Sequence, residues 1–122
     1  MIDKKKIKED FKNFVPPKGV FILRNEVTGK VFLGSSLNLK NKEVRIRLQL
    51  STGNHYIKEL QLDWNKYGEN AFKYEELETL ELKDDLNYNY SDDLEFLEMI
   101  WIDKYKPFEE KCYNKNEKIR IV

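Results

Sequence analysis

Residues Gly19–Ser36 read GVFILRNEVTGKVFLGSS, two apolar runs that end near glycines and flank the stretch NEVTG. No other feature of the chain limits its fold as tightly. Short runs of Val, Phe, Ile and Leu bounded by Asn and Gly are strands, and a few Gly-containing residues between two such runs make a β-hairpin. Strands are therefore expected over Gly19–Arg24 and Lys30–Gly34. The run GVFIL is apolar at consecutive positions, so both faces of the first strand must be covered. Each run also carries a phenylalanine, Phe21 and Phe32, with ten residues between them.

The remainder of the chain supplies the cover. Ile7, Phe11, Phe14 and Val15 fall at helical spacing and predict a helix over Ile2–Val15, with Asp3 as N-cap and Pro16-Pro17 as its end. Asn38–Leu50 reads as a second helix. Its apolar stripe is Leu37, Val44 and Leu48, with Lys42, Ile46 and Gln49 together on the opposite side. Asn54–Tyr67 reads as a third helix, with Ile57, Leu60, Trp64 and Tyr67 on one face and Gly68 as the stop. Ala71–Leu80 alternates aromatic and charged residues and reads as a third strand. Lys83–Asp93 reads as a loop, and Asp92 or Asp93 then caps a last helix that runs to about Tyr105. Strands do not alternate with crossover helices, so a doubly wound parallel sheet is excluded. The fold class expected is α+β, a small mixed or antiparallel sheet with helices packed on it. The division expected is an N-terminal helix and linker at residues 1–17 and a compact domain at 18–122.

Composition narrows the function classes. A chain of 122 residues is the size of one domain. Its one cysteine, Cys112, excludes an internal disulfide and a multi-cysteine zinc site. The N-terminus MIDKKKIKED has no apolar signal-like run, and no stretch is apolar enough to cross a bilayer. A cytoplasmic protein without a membrane partner is expected. The zero net charge conceals an asymmetry, because residues 1–58 carry a balance of +8 and residues 59–122 a balance of −8. That pattern fits either a phosphate-binding basic face or two opposed surfaces that attract each other within the fold.

One acid stands out. In the last helix Glu98 lies four residues after Leu94 and three before Trp101, so it points with the apolar side chains. A carboxylate there must find a cation, a donor or a metal, or take up a proton. It is either a metal ligand or a rim glutamate bridged to a lysine.

Taken in order, these blocks resemble the GIY-YIG endonuclease family. Gly19-Val20-Phe21 and Phe32-Leu33-Gly34-Ser35-Ser36 are similar to its paired signature. NLKNKEVRIRLQLSTGNH resembles its helix and following loop, KELQLDWNKYGENAFKYEELE its helix–turn–strand block, LEMIWIDKY the helix with the metal-binding glutamate, and CYN the late Tyr-Asn element. The likeness runs from about Gly19 to Asn114 and extends to short bacterial members that carry the same phenylalanines. It implies a three-stranded, mostly antiparallel sheet flanked by helices. It also implies one-metal hydrolysis of DNA phosphodiesters with Mg²⁺ (or Mn²⁺).

Carried over by position, the two hairpin tyrosines become Phe21 and Phe32, and the helix arginine becomes Lys42. The histidine that some members place one turn further on becomes Ile46. The loop histidine is kept as His55, the metal glutamate as Glu98, and the terminal asparagine as Asn114. Lys40, Lys42, Arg45, Arg47 and Asn114 are the expected DNA contacts. Phenylalanine has no donor, acceptor or titratable proton, so Phe21 and Phe32 cannot serve as base or relay. Lys42 keeps the charge of an arginine without its planar fork. Glu98 keeps its means of holding a cation, and His55 is the candidate to replace the missing base. Two readings follow: a divergent endonuclease with an eroded site, or a pseudo-nuclease that binds DNA or a protein partner without cutting.

Overall fold

The computed structural model describes residues 15–85, 87–105 and 111–113. The helix expected over Ile2–Val15 falls almost wholly outside them, and Asn114 does as well. The described elements run β1 (Gly19–Asn25), β2 (Val31–Ser36), α1 (Leu39–Ser51), α2 (Lys58–Tyr67), a 3₁₀ turn (Glu69–Ala71), β3 (Phe72–Thr79) and α3 (Ser91–Tyr105). The sheet order is β2-β1-β3, and both pairings are antiparallel. This is the small α+β sheet flanked by helices that the sequence predicts.

The hairpin closes through Asn25. Its side-chain Oδ1 accepts from Val27 N–H at 3.0 Å, and its backbone N–H donates to Lys30 O at 2.8 Å. Gly29 takes φ +80°, a left-handed conformation that side-chain-bearing residues avoid. Opposite the hairpin, the β1–β3 register shifts between Val20 and Phe21, so that Val20 faces Glu78 and Phe21 faces Glu76. A Cβ on Gly19 would lie 2.0 Å from Glu78 O, so the bulge admits only glycine there.

β1 is central and buried on both faces. On one face Phe21, Leu23, Phe32 and Phe72 pack with Leu39, Ile46 and Leu50 of α1, Ile57, Leu60 and Trp64 of the α2 segment, and Tyr113. On the other face Ile22, Val31, Leu33 and Cys112 form a smaller cluster, with Leu77 and Tyr105 against it. The strand period of two assigns alternate residues to these layers. Each fully buried Leu or Phe contributes roughly 1.5–3 kcal/mol of apolar burial.

Two helix readings are corrected. The core face of α1 is Leu39, Ile46 and Leu50, whereas Val44 and Leu48 are each 63% exposed and Leu37 is exposed too. Leu37 precedes the N-cap Asn38, whose side chain accepts from Asn41 N–H at 3.1 Å, so it cannot set the phase of the helix. Counted from Leu39, the inward row passes through Lys42, which is half-buried. The second correction concerns α2, which begins at Lys58 rather than Asn54. His55 and Tyr56 therefore sit in a connecting loop. The His55 side chain accepts from Ile57 N–H at 3.1 Å, a local side-chain-to-backbone bond that replaces a helical turn.

The last helix begins at Ser91, one residue before the expected cap, with Leu94 N–H donating to Tyr90 O at 2.9 Å. Its buried residues are Leu94, Leu97 and Glu98, while Phe96 and Met99 face outward.

Candidate functional site

A cavity of about 180 Å³ opens where the hairpin, α1 and the loop after α1 meet. The hairpin contributes Phe21, Phe32, Leu33, Gly34 and Ser35. From α1 come Lys42, Arg45, Ile46 and Gln49, and from the loop His55 and Tyr56. Its floor is aromatic. The Phe21 and Phe32 rings meet edge to face at 5.7 Å, and Phe21 stacks on Tyr74 at 5.2 Å. Gly34 is required beneath Phe21, because a Cβ there would lie 2.6 Å from the ring's Cζ.

The opposite wall is cationic. Lys42 is half-buried, and burial followed by the Arg45 charge lowers its pKa. His55 is buried at the loop side, with Phe32 edge-on at 5.3 Å and Tyr56 stacked at 4.8 Å. Its pKa is pushed down to about 4, first by burial and then by Lys42. Gln61 fixes the loop: its Oε1 accepts from His55 N–H at 3.2 Å, and its Nε2 donates to Leu50 O at 2.8 Å.

Glu98 occupies a different layer. Ser35 lies one residue beyond Gly34, so its side chain points away from Phe21, toward the face that α3 covers. There Ser35 Oγ donates to Glu98 Oε1 at 2.8 Å. Both residues are buried, with Glu98 4% exposed. Burial raises the Glu98 pKa, Ser35 opposes the rise, and the charge of Glu95 adds to it. The acid thus contacts the hairpin but does not line the cavity with Lys42 and His55. The two sites share Ser35, which sits on the edge strand β2. Among the described residues no group of three His, Cys, Asp or Glu side chains is placed to hold a metal. No helix among them is long and apolar enough to cross a membrane.

No family model matches the chain, and no curated protein matches it significantly. Solved structures do. The chain superposes on the catalytic domain of the intron endonuclease I-TevI, in a mutant form, with a TM-score of 0.68 and 24% identity over 84% of this chain and 96% of that one. It superposes on another structure of the catalytic domain of the homing endonuclease I-TevI with a TM-score of 0.63 and 26% identity, over 79% and 95%. The chain has the GIY-YIG-like fold.

Within this fold the sequence-derived candidates separate into groups. Phe21, Phe32, Lys42, Arg45 and His55 meet around one cavity, and Ile46 forms part of its wall. Lys40 is exposed in the first turn of α1, outside the cavity lining. Arg47 turns elsewhere: it pairs with Glu43 at 3.0 Å and Glu69 at 3.8 Å, and donates to Phe72 O at 3.0 Å, which binds α1 to the start of β3. Glu98 stands behind Ser35. Two participants carry no functional signal of their own in the sequence: Ser35 stands only as a residue of the hairpin signature, and Tyr56 only as the neighbour of His55.

The late Cys112-Tyr113 element returns to the hairpin. Tyr113 N–H donates to Val31 O at 2.7 Å, and the Tyr113 hydroxyl donates to Asp63 Oδ2 at 2.7 Å while accepting from Asn25 Nδ2 at 3.1 Å. Burial raises the Tyr113 phenol pKa well above its usual value. This relay joins the hairpin turn to α2.

Proposed function

We propose that this chain acts on DNA through the cavity, as a GIY-YIG-like endonuclease whose phosphodiester hydrolysis is slow or lost. One observation carries the reading: the two hairpin rings in the cavity, Phe21 and Phe32, are purely hydrocarbon, while the wall facing them is cationic. Such a site keeps attraction for phosphate and lacks a phenol for proton transfer at the hairpin. A positioned general base contributes on the order of 10²–10⁴ in rate, which sets the scale of the loss. Lys42 and Arg45 hold backbone phosphate by charge, Arg45 with a planar fork and Lys42 as a point charge.

Glu98 is the residue that would hold Mg²⁺ (or Mn²⁺). A buried carboxylate oxygen with a hydroxyl beside it suits a hard cation, and Mg²⁺ commonly uses one or two carboxylates together with substrate phosphate. When bound, such an ion stabilises developing phosphate charge and lowers the pKa of water. Burial raises the pKa of this carboxyl, so cation binding there competes with protonation. Glu98 reaches the cavity only through Ser35 and does not line it with Lys42 and His55, which favours the second reading, a pseudo-nuclease that binds DNA or a protein partner and does not cut.

Supercoiled plasmid with Mg²⁺ or Mn²⁺ tests the proposal. Slow or absent nicking by the wild type, none by Glu98→Gln, and salt-sensitive DNA binding by both are expected. Rapid cleavage, or cleavage that survives Glu98→Gln, contradicts it. Phe21→Tyr with Phe32→Tyr raises cleavage if the missing hydroxyls are the main deficit.

A further inference from the structure

We infer that His55 serves the cavity as a neutral hydrogen-bond donor, presenting Nε2–H to a non-bridging oxygen of a DNA phosphate, and not as a proton acceptor. The inference rests on the DNA reading above and assigns a role within that site.

The argument starts from the nitrogen already engaged. Ile57 N–H donates to His55 Nδ1 at 3.1 Å, and a ring nitrogen that accepts carries no proton. In the neutral ring the proton is therefore on Nε2. The ring is held in this sense by its surroundings. Phe32 packs edge-on with an interplanar angle of 87°, and Tyr56 stacks with an angle of 19°. Turning the ring over would set a C–H against the amide of the buried Ile57 and leave that donor unpaired. No side-chain N or O atom fully shut off from solvent lacks a partner among the described residues.

The surroundings oppose a second proton. The ionisable groups that line the cavity with His55 are Lys42, Arg45 and Tyr56, and no carboxylate is among them. An imidazolium would add a third positive charge beside the half-buried Lys42 and the exposed Arg45, which agrees with the low pKa that burial and Lys42 impose. Nor can Nε2 take a proton from water while it already carries one. A neutral N–H avoids both difficulties. It contributes a directed donor beside two cations without repelling them, and three donor-bearing side chains around one cavity suit the oxygens of a phosphodiester.

His55 is the one histidine in the chain, so its imidazole is directly assignable in ¹⁵N-labelled full-length protein. Long-range ¹H–¹⁵N spectra are expected to show the proton on Nε2 and no titration between about pH 5.5 and 8. Short duplex DNA is expected to shift the Nε2 resonance. His55→Asn keeps an acceptor near Ile57 N–H and removes Nε2–H; it is expected to weaken DNA binding about 12- to 160-fold, the effect of one hydrogen bond to a charged group. A proton on Nδ1, or a midpoint between pH 6 and 7, overturns the inference even if the variant does not fold. A shift with inorganic phosphate but none with DNA overturns the assignment to a DNA phosphate. DNA binding with the resonance unmoved overturns the donor role and leaves the proposed function standing. Absence of DNA binding overturns the proposed function, and the inference with it.

Discussion

Ser35→Ala removes the donor that faces a buried acid, and its cost is expected to depend on that acid's charge. Ser35 is fully buried and its hydroxyl reaches Glu98 Oε1 at 2.8 Å. A hydrogen bond to an ionised group contributes about 1.5–3 kcal/mol, against about 0.5–1.5 kcal/mol for a neutral pair. On the alkaline side of the Glu98 titration, where the acid is ionised, Ser35→Ala should lower Tm on the order of 5–15 °C for a domain of this size. In a Glu98→Gln background the acceptor is neutral and the loss should fall by about half, a coupling of roughly 1 kcal/mol in the double-mutant cycle.

The sign of the pH dependence follows from the raised Glu98 pKa. Ionising this group in the folded protein costs more than in the unfolded chain, so stability falls as pH rises from the usual carboxylate range through the folded value. Glu98→Gln removes that fall. Its stability relative to the wild type should rise between acid and pH 8. Thermal denaturation of the four proteins at several pH values is the assay. An equal cost of Ser35→Ala in both backgrounds, or a Glu98→Gln protein that loses ground to the wild type as pH rises, would refute the reasoning.

Three further outcomes are expected. Gly34→Ala drives a Cβ to 2.6 Å from the Phe21 ring and should destabilise by about 1–3 kcal/mol in urea denaturation, with Phe21→Leu recovering part of it. Asn25→Ala deprives Val27 N–H and the Tyr113 hydroxyl of their buried partner and should cost about 1–3 kcal/mol, read as a lower urea midpoint at unchanged m-value. Mg²⁺ should raise the Tm of the wild type in a concentration-dependent way and leave Glu98→Gln unmoved; an equal rise in both would remove Glu98 as the cation ligand.

The hairpin was legible because its information is local. Asn25, Gly29 and the apolar run of β1 set strand, turn and two-sided cover within a few residues. The direction of Glu98 was legible as well, because Leu94 and Leu97 fix the inward face of α3. Its partner was not, since Ser35 lies 63 residues away and the layer it points into depends on strand register. The face of α1 was misjudged because Val44 and Leu48 are apolar yet exposed, while the inward row runs through a lysine. Tertiary contacts with Phe21 and Leu60, not the helix's own pattern, decide which side is buried. The loop at His55 escaped notice for a related reason: Gln61 and Ile57 hold it by side-chain bonds that periodicity cannot show.

The salt dependence of DNA binding tests the central claim most directly. Fluorescence anisotropy on a labelled duplex should show log K falling linearly with log salt for the wild type. Lys42→Met and Arg45→Ala should each flatten that slope by about one, while Lys66→Ala, outside the cavity, leaves it near the wild-type value. A wild type that does not bind duplex DNA, or slopes unchanged in both cavity variants, would contradict the account.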